Sequence, residues 1–235
     1  MVDNLPNIGL LTMAFDSQRL IVNSIDQALK QDYPHEKLTQ YIIHQKDEKG
    51  NYPEHITCDR EIKIIQGNVD GKWSGLWLFK LVAFLDNCKE PYMAMWDFDD
   101  YFERDYLRVA FTDLISNKNV CGWSDNQIIV KKGSIKKEPY KVSIGTLIGR
   151  VDCLRESAHE FLKMYPTGLI YAPLSHGRFA SKKPYWRGPL DHQFRQYLEK
   201  KYAGHISIHK GCRWYVFAKG AATELAGHHD PEDGI

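Results

Sequence analysis

The stretch that decides the fold is residues 92–100, with the sequence YMAMWDFDD. Its first five residues are apolar or aromatic, which predicts a buried strand, and that strand runs directly into an aspartate cluster. Carboxylates two residues apart point to the same side of an extended backbone. Hard cations such as Mg²⁺ or Mn²⁺ prefer a few carboxylates together with phosphate oxygens and water. The stretch therefore predicts that Asp97 and Asp99 bind a divalent cation at the end of a strand. The alternative is an acidic turn in which Asp100 caps a helix that begins near Glu103.

Hydrophobic patterns on both sides of this stretch predict alternating strands and helices. The upstream elements are strands near residues 8–13, 41–44 and 61–65, and helices beginning after residue 17 and near residue 74. The downstream elements are a helix over 107–114, a strand or hairpin over 120–130, a basic loop over 131–141, a strand over 144–148, a helix over 154–165, a long loop over 166–188, a helix over 190–198 and strands at 206–208 and 214–217. Short connections between such elements predict an α/β fold with a mostly parallel, twisted sheet and helices on both faces.

Polar and glycine-containing segments follow each of the first four predicted strands. Ligands of open α/β sheets bind beyond the carboxyl ends of the strands, so these segments should meet at one edge. The candidate ligand-binding residues there are Ala14, Phe15, Asp16, Gln45, Asp47, Gly71, Lys72, Asp97 and Phe98. A divalent cation at that edge would neutralise a nucleotide diphosphate and stabilise it as a leaving group.

Composition limits the classes of function. The chain has 235 residues, 43% of them hydrophobic, and a formal net charge of +1, so global attraction to nucleic acid or membranes is not indicated. Its 5 cysteines are widely spaced and form no C-x-x-C pair, which favours reduced thiols in a cytoplasmic protein. Neither a signal peptide nor a transmembrane segment is expected, so a membrane-bound acceptor would be reached from the membrane surface.

Three motifs resemble the family 2 glycosyltransferases, an inverting group with the GT-A fold. They are QDYP at residues 31–34, Asp70-Gly71-Lys72 before a helix, and MAMWDFDDYFERDYL at residues 93–107. The resemblance covers about residues 6–200 and implies one GT-A domain over residues 1–235. About residues 1–118 would bind a nucleoside-diphosphate sugar, with a UDP-sugar as the expected donor, and about residues 119–235 would bind the acceptor. The family's D-D-G-S motif is replaced by His44-Gln45-Lys46-Asp47-Glu48, so Gln45 or Asp47 would have to contact the base.

The resemblance also implies a catalytic base and further metal ligands. Asp191, in the sequence GPLDHQF, occupies the position of the aspartate that acts as catalytic base in the family, and His192 is the alternative candidate. The alternative is that Asp191 only places a negative charge in the first turn of a helix. Many GT-A enzymes add a C-terminal histidine to the metal shell, and His228 or His229 could do so here, since imidazole suits Mn²⁺ better than Mg²⁺.

The acceptor is expected to contact the aromatic and basic segment Tyr185-Trp186-Arg187. Aromatic faces stack on sugars and on nucleobases, so a carbohydrate or glycoconjugate is the expected acceptor and a modified DNA base is the alternative. Two other classes of function remain open. One is a metal-dependent nucleotidyltransferase or hydrolase that uses the same acidic cluster, although no Gly-rich basic loop follows the first strand. The other is a non-catalytic module that binds sugar or nucleic acid.

Overall fold

The computed structural model describes residues 5–13, 18–45, 63–69, 76–97, 100–131, 134–138, 144–164 and 190–217. The helices are α1 (Gln18–Leu29), α2 (Leu76–Asn87), α3 (Tyr106–Ser116), α4 (Val151–Lys163) and α5 (Leu190–Lys201). The strands are β1 (Ile8–Met13), β2 (Leu38–Gln45), β3 (Lys63–Val69), β4 (Tyr92–Met95), β5 (Asp100–Phe102), β6 (Cys121–Lys131), β7 (Ser134–Glu138), β8 (Ile148–Arg150) and β9 (Ile206–Phe217). None of the described helices has both the length and the apolar character required to cross a bilayer.

The described strands form a nine-stranded sheet in the order β3-β2-β1-β4-β8-β6-β9-β5, with β7 paired to β6. The first four strands in this order are mutually parallel. Strand β8 is antiparallel to both β4 and β6, so β6 and its parallel neighbour β9 point the same way as β4. Strands β5 and β7 are antiparallel to their neighbours. Most strands therefore share one direction, which confirms the predicted sheet.

Alternate residues of the central strands pack against helices on opposite faces of the sheet. Leu11 of β1 and Met95 of β4 belong to a core cluster with α2, α4 and α5. Leu10 and Ala94, their chain neighbours, belong to a cluster with α3 and the end of α1. Because helices cover both faces of the sheet, successive residues of its central strands are buried, as in the uninterrupted burial of Ile8–Met13.

The strand order reverses beside β1. The chain builds β1, β2 and β3 outward in one direction and then returns to place β4 on the other side of β1. The two connections leave β1 and β4 in opposite directions, so a crevice is expected where these strands end. Met13 and Met95 are the last residues of the two strands, and the predicted aspartate segment follows Met95 directly.

The described part of the chain differs from the sequence prediction at four main places, three of them in its second half. Residues 134–138 of the predicted basic loop form strand β7, paired to β6. The predicted strand at 144–148 is a 3₁₀ turn (Ile144–Thr146) followed by β8. The two predicted late strands are one continuous strand, β9. The proposed cap Asp100 instead lies in β5, because the chain pairs there with β9 before α3 begins at Tyr106. The predicted loop at 166–188 lies outside the described residues.

Gly149 tests the packing of β8 against the start of β6 and against α4. A Cβ atom at this position would lie 2.8 Å from Leu154 Cδ1, 2.9 Å from Cys121 Cβ and 3.0 Å from the carbonyl oxygen of Val120. We expect Gly149→Ala to lower the free energy of unfolding by about 1–3 kcal/mol, because backbone and Cβ atoms cannot move aside cheaply. Urea denaturation measures this loss. Gly67→Ala is the matched control, since its Cβ would meet the movable terminal methyl of Ile43 at 3.1 Å. Equal losses in both variants would contradict the prediction.

Candidate active site

Trp96 fixes the backbone from which the aspartate segment leaves the sheet. Its amide donates to the carbonyl of Leu11 at 2.8 Å, and its indole Nε1–H donates to the carbonyl of Ser24 at 2.9 Å. The hydroxyl of Thr12 donates to the Trp96 carbonyl at 2.8 Å. The indole also stacks on Phe102, with the ring centroids 3.9 Å apart and the planes at 13°. Trp96 and Phe102 lie on either side of residues 97–101 in the chain. Their stacked rings therefore hold together the two residues between which the aspartate segment is attached.

A buried amide supports the Thr12 hydroxyl from the opposite side. Gln40 Nε2 donates to Thr12 Oγ1 and to Ser24 Oγ, each at 2.9 Å. The Ser24 hydroxyl in turn donates to the carbonyl of Ile21 at 2.8 Å. These side chains are almost fully buried, so each hydrogen bond forms where water cannot replace it. The network joins β1, β2, α1 and the end of β4 around one carbonyl group.

A buried lysine interacts electrostatically with the first aspartate of the cluster. Lys80 of α2 is only 4% exposed, and Asp97, just beyond β4, is half-buried. Burial lowers the pKa of the Lys80 ammonium to about 8, and the negative charge of Asp97 opposes that decrease. Asp97 at the carboxyl edge of the sheet and the partly desolvated cation Lys80 therefore interact electrostatically. Such a pair can bind the oxygens of a diphosphate and the cation that accompanies it.

Strand β9 brings the C-terminal part of the chain to the same place. Its backbone pairs Val216 with Asp100 and Trp214 with Phe102. Phe217, its last residue, therefore ends beside the start of β5. The chain beyond Phe217 begins next to the aspartate segment.

Helix α5 begins at the same edge. Its first turn contains Asp191, and Phe194, one turn later, packs against Trp77 in the first turn of α2 with centroids 5.9 Å apart. Lys80 lies one turn further along α2. The backbone of Asp191 is thus carried by a helix whose first turns pack beside the helix that bears Lys80. The imidazole Nε2 of His192 lies 3.0 Å from Nε2 of Gln196 on the same helix.

The structure describes only some of the residues that the sequence singles out. Gln45 is the last residue of β2, and Asp97 follows β4 on the other side of β1, so both backbones lie on the predicted edge of the sheet. The predicted site residues outside the described part of the chain are Ala14, Phe15, Asp16, Asp47, Gly71, Lys72, Phe98, Asp99, Tyr185, Trp186, Arg187, His228 and His229. Their assignments stay predictions.

The chemistry of the donor set fits a small divalent cation. Asp97 offers carboxylate oxygens at the strand end, Asp99 follows two residues later in the sequence, and both are hard ligands of the type that Mg²⁺ and Mn²⁺ select. Among the described residues, no three His, Cys, Asp or Glu side chains converge on a metal position. A cation that is shared with a diphosphate needs only one or two protein carboxylates, so this finding agrees with such a site.

Two contributors to this site were missed in the sequence. Lys80 is the only charged residue in LWLFKLVAFL, residues 76–85, and a lone charge in an apolar helix is a usable signal of a paired or functional group. The bond between Thr12 and Trp96 joins residues 84 positions apart, and no local pattern predicts it.

Comparisons with known proteins relate the chain to one fold. No known family and no curated protein matches the sequence. Among solved structures, S. aureus TarS superposes with a TM-score of 0.56 at 14% identity, covering 94% of this chain and 38% of TarS. The TarS complexes with UDP and with UDP-GlcNAc give TM-scores of 0.55 and 0.56, cover 94% and 97% of this chain, and are each covered over 63% of their length. The chain thus spans between 38% and 63% of these neighbours, and it has their mixed α/β, GT-A (Rossmann-like) fold.

Replacing Lys80 tests whether burial of its ammonium group lowers the stability of the folded protein. Its pKa in the folded protein lies below the ordinary value of 10.5, so folding disfavours the ammonium form. This penalty is on the order of 3 kcal/mol below pH 8, and it disappears as the pH rises from 8 to 10.5. We expect Lys80→Met to raise the free energy of unfolding at pH 7, and the difference from wild type to shrink above pH 8. Urea denaturation in EDTA at several pH values measures it.

A destabilised Lys80→Met protein at pH 7 would contradict this prediction. The control is Lys89→Met, which removes an exposed lysine directly beyond the same helix. It should change stability by no more than about 0.5 kcal/mol at any pH.

Proposed function

We propose that the protein transfers a sugar from a nucleoside-diphosphate donor to an acceptor hydroxyl. The observation that carries the proposal is the position of Asp97 at the end of β4, beside the point where the strand order reverses in a GT-A sheet. Two structures with this fold contain UDP and UDP-GlcNAc, which are a nucleoside diphosphate and a nucleoside-diphosphate sugar. A UDP-sugar is accordingly the proposed donor. The fold alone would not justify the proposal, because one fold supports many functions.

Asp97 and Asp99 would hold Mn²⁺ or Mg²⁺ at this edge. When bound, the cation neutralises the diphosphate and stabilises the charge that develops on it as the glycosidic bond breaks. Lys80 places a second positive charge beside Asp97. His228 or His229 would complete the metal shell. Phe217 ends beside β5, and the 11 residues to His228 can span up to about 36 Å, so either histidine can reach the aspartates.

The proposed reaction inverts the anomeric carbon. The acceptor oxygen attacks the face opposite the diphosphate, the bond from the anomeric carbon to the diphosphate oxygen breaks, and its electron pair leaves with the diphosphate. Asp191 accepts the proton of the acceptor hydroxyl. The position of Asp191 in the first turn of α5, on the edge that carries Asp97, supports this role. Ala14, Phe15, Asp16, Gln45, Asp47, Gly71, Lys72 and Phe98 would surround the nucleotide.

The acceptor would be a carbohydrate or glycoconjugate that contacts Tyr185, Trp186 and Arg187. These residues precede α5, so in the proposed enzyme they lie next to the base in the chain. About residues 1–118 would then bind the donor and about residues 119–235 the acceptor within one domain. The sheet takes strands from both parts, which supports the proposal that donor and acceptor segments share one edge of a single domain.

The metal site can be tested through donor binding. We expect UDP-, GDP- or CDP-activated sugars to stabilise the wild-type protein in thermal-shift assays only when Mn²⁺ or Mg²⁺ is present, with UDP-sugars the most effective. Asp99→Ala should abolish this cation-dependent stabilisation, because it removes one of two carboxylate ligands. Asp105→Asn is the matched control, since Asp105 is exposed and its side chain forms no cap hydrogen bond on α3. No stabilisation of the wild type by any donor would overturn the proposed function.

The catalytic base can be tested by separating binding from chemistry. We expect Asp191→Asn to keep donor affinity and to lower the rate of sugar transfer by about 10²–10⁴-fold, the usual contribution of a general base. Glu199→Gln, on the exposed side of the same helix and paired with Arg195, is the control and should transfer at the wild-type rate. Release of nucleoside diphosphate and formation of glycosylated acceptor are measured together. Normal transfer by Asp191→Asn would show that another group is the base.

A further inference from the structure

Helix α5 is held differently at its two ends. Its C-terminal half is fixed to α4 by polar contacts: Lys201 Nζ lies 3.0 Å from Glu156 Oε1 and 2.6 Å from Glu160 Oε2. The Tyr202 hydroxyl adds a 3.1 Å hydrogen bond to the carbonyl of Cys153. These contacts are made with α4. They restrain the C-terminal end of α5, whereas the position of its first turn depends on other contacts.

The first turns of α5 are positioned by aromatic packing. Phe194 is fully buried, and its ring lies between Trp77 of α2, at 5.9 Å and 59°, and Phe161 of α4, at 5.1 Å and 64°. Among the described residues, the Trp77 contact is the aromatic link from α5 to α2. Tilted ring pairs at such distances add about 0.5–1.5 kcal/mol beyond their buried area and favour one mutual orientation.

Trp77 belongs to the part of the chain that is proposed to bind the donor. It lies in the first turn of α2, six residues after Gly71 and five after Lys72 in the sequence, and one turn before Lys80. Phe194 stands on the other side, three residues after Asp191, so the two lie on neighbouring positions of one helix face. The ring pair therefore joins the helix that follows the proposed diphosphate segment to the helix that carries the proposed base.

We propose that Trp77 and Phe194 are positioning residues which hold the Asp191 helix in register with the donor, so that the bound sugar goes to the acceptor rather than to water. This inference rests on the proposed function. In either outcome the bond from the anomeric carbon to the diphosphate breaks. In transfer the acceptor oxygen forms the new bond and gives its proton to Asp191, whereas in hydrolysis water forms the bond and its proton goes to solvent or buffer. A displaced base lowers the first rate and leaves the second route open.

The readout is the ratio of hydrolysed to transferred sugar, measured from one reaction as free sugar against glycosylated acceptor. We expect Trp77→Leu and Phe194→Leu each to raise this ratio roughly ten- to a hundredfold. The double variant should raise it no further than the larger single effect, because either change removes the same contact. Trp77→Phe keeps an aromatic ring and should restore most of the wild-type ratio. Donor affinity, measured by titration calorimetry, should stay within about threefold in all of them.

Leu198→Ala is the matched control for lost packing. Leu198 is fully buried one turn further along α5 and belongs to the same core cluster, so its truncation destabilises the protein without removing the contact with α2. It should lower the melting temperature and leave the ratio unchanged. Normal donor binding with an unchanged ratio in Trp77→Leu and Phe194→Leu, or an equal rise in Leu198→Ala, overturns this inference alone. Absence of donor binding by the wild type overturns the proposed function as well.

Discussion

The anchoring of Trp96 is the constraint on which the candidate site depends. Three of its polar groups are satisfied by partners on β1 and α1, and its ring is stacked on Phe102 beyond the aspartates. An unsatisfied polar group at this depth would cost about 1–3 kcal/mol, so the bonds strongly favour one placement of the strand end. Trp96 and Phe102, on either side of the aspartate segment in the chain, are therefore held in fixed positions. Precise placement of carboxylates at a metal site depends on such support from surrounding contacts.

The same constraint explains why polar residues occur inside an otherwise apolar core. Gln40 and Thr12 lie on central strands that are covered on both faces, where apolar residues would pack more simply. Their hydrogen bonds connect β1, β2, α1 and β4 through the Trp96 carbonyl. A buried polar network of this kind contributes specificity of position more than net stability. The network ends at the Trp96 carbonyl, directly before the aspartate segment. The buried polar groups therefore support the backbone of the candidate site.

The first half of the chain was predictable from sequence because its signals are local. Strands β1 and β4 are short apolar runs, and α1 and α2 show helical periodicity between turn residues. The second half depends on partners that are distant in sequence. Residues 144–148 have an apolar composition that suits a strand, yet Met95 donates to the carbonyl of Leu147 and Tyr106 donates to that of Thr146, which fixes a turn there. Strand β9 continues past an irregularity at residues 210–212, where its register with β6 shifts, because β6 supplies a parallel partner on both sides of it.

The candidate site could be predicted only where charged residues interrupt otherwise apolar elements of the sequence. Three aspartates after a buried strand conflict with continued burial, and that conflict is what predicts a site at Asp97. Lys80 in an apolar helix is a conflict of the same kind, and in the folded protein the negative charge of Asp97 favours the ammonium form of Lys80. The pairing of Trp77 with Phe194 breaks no local rule, since aromatic residues in the apolar face of a helix are ordinary. A contact that is proposed to position catalytic elements through packing alone is therefore visible only once the helices have been placed in three dimensions.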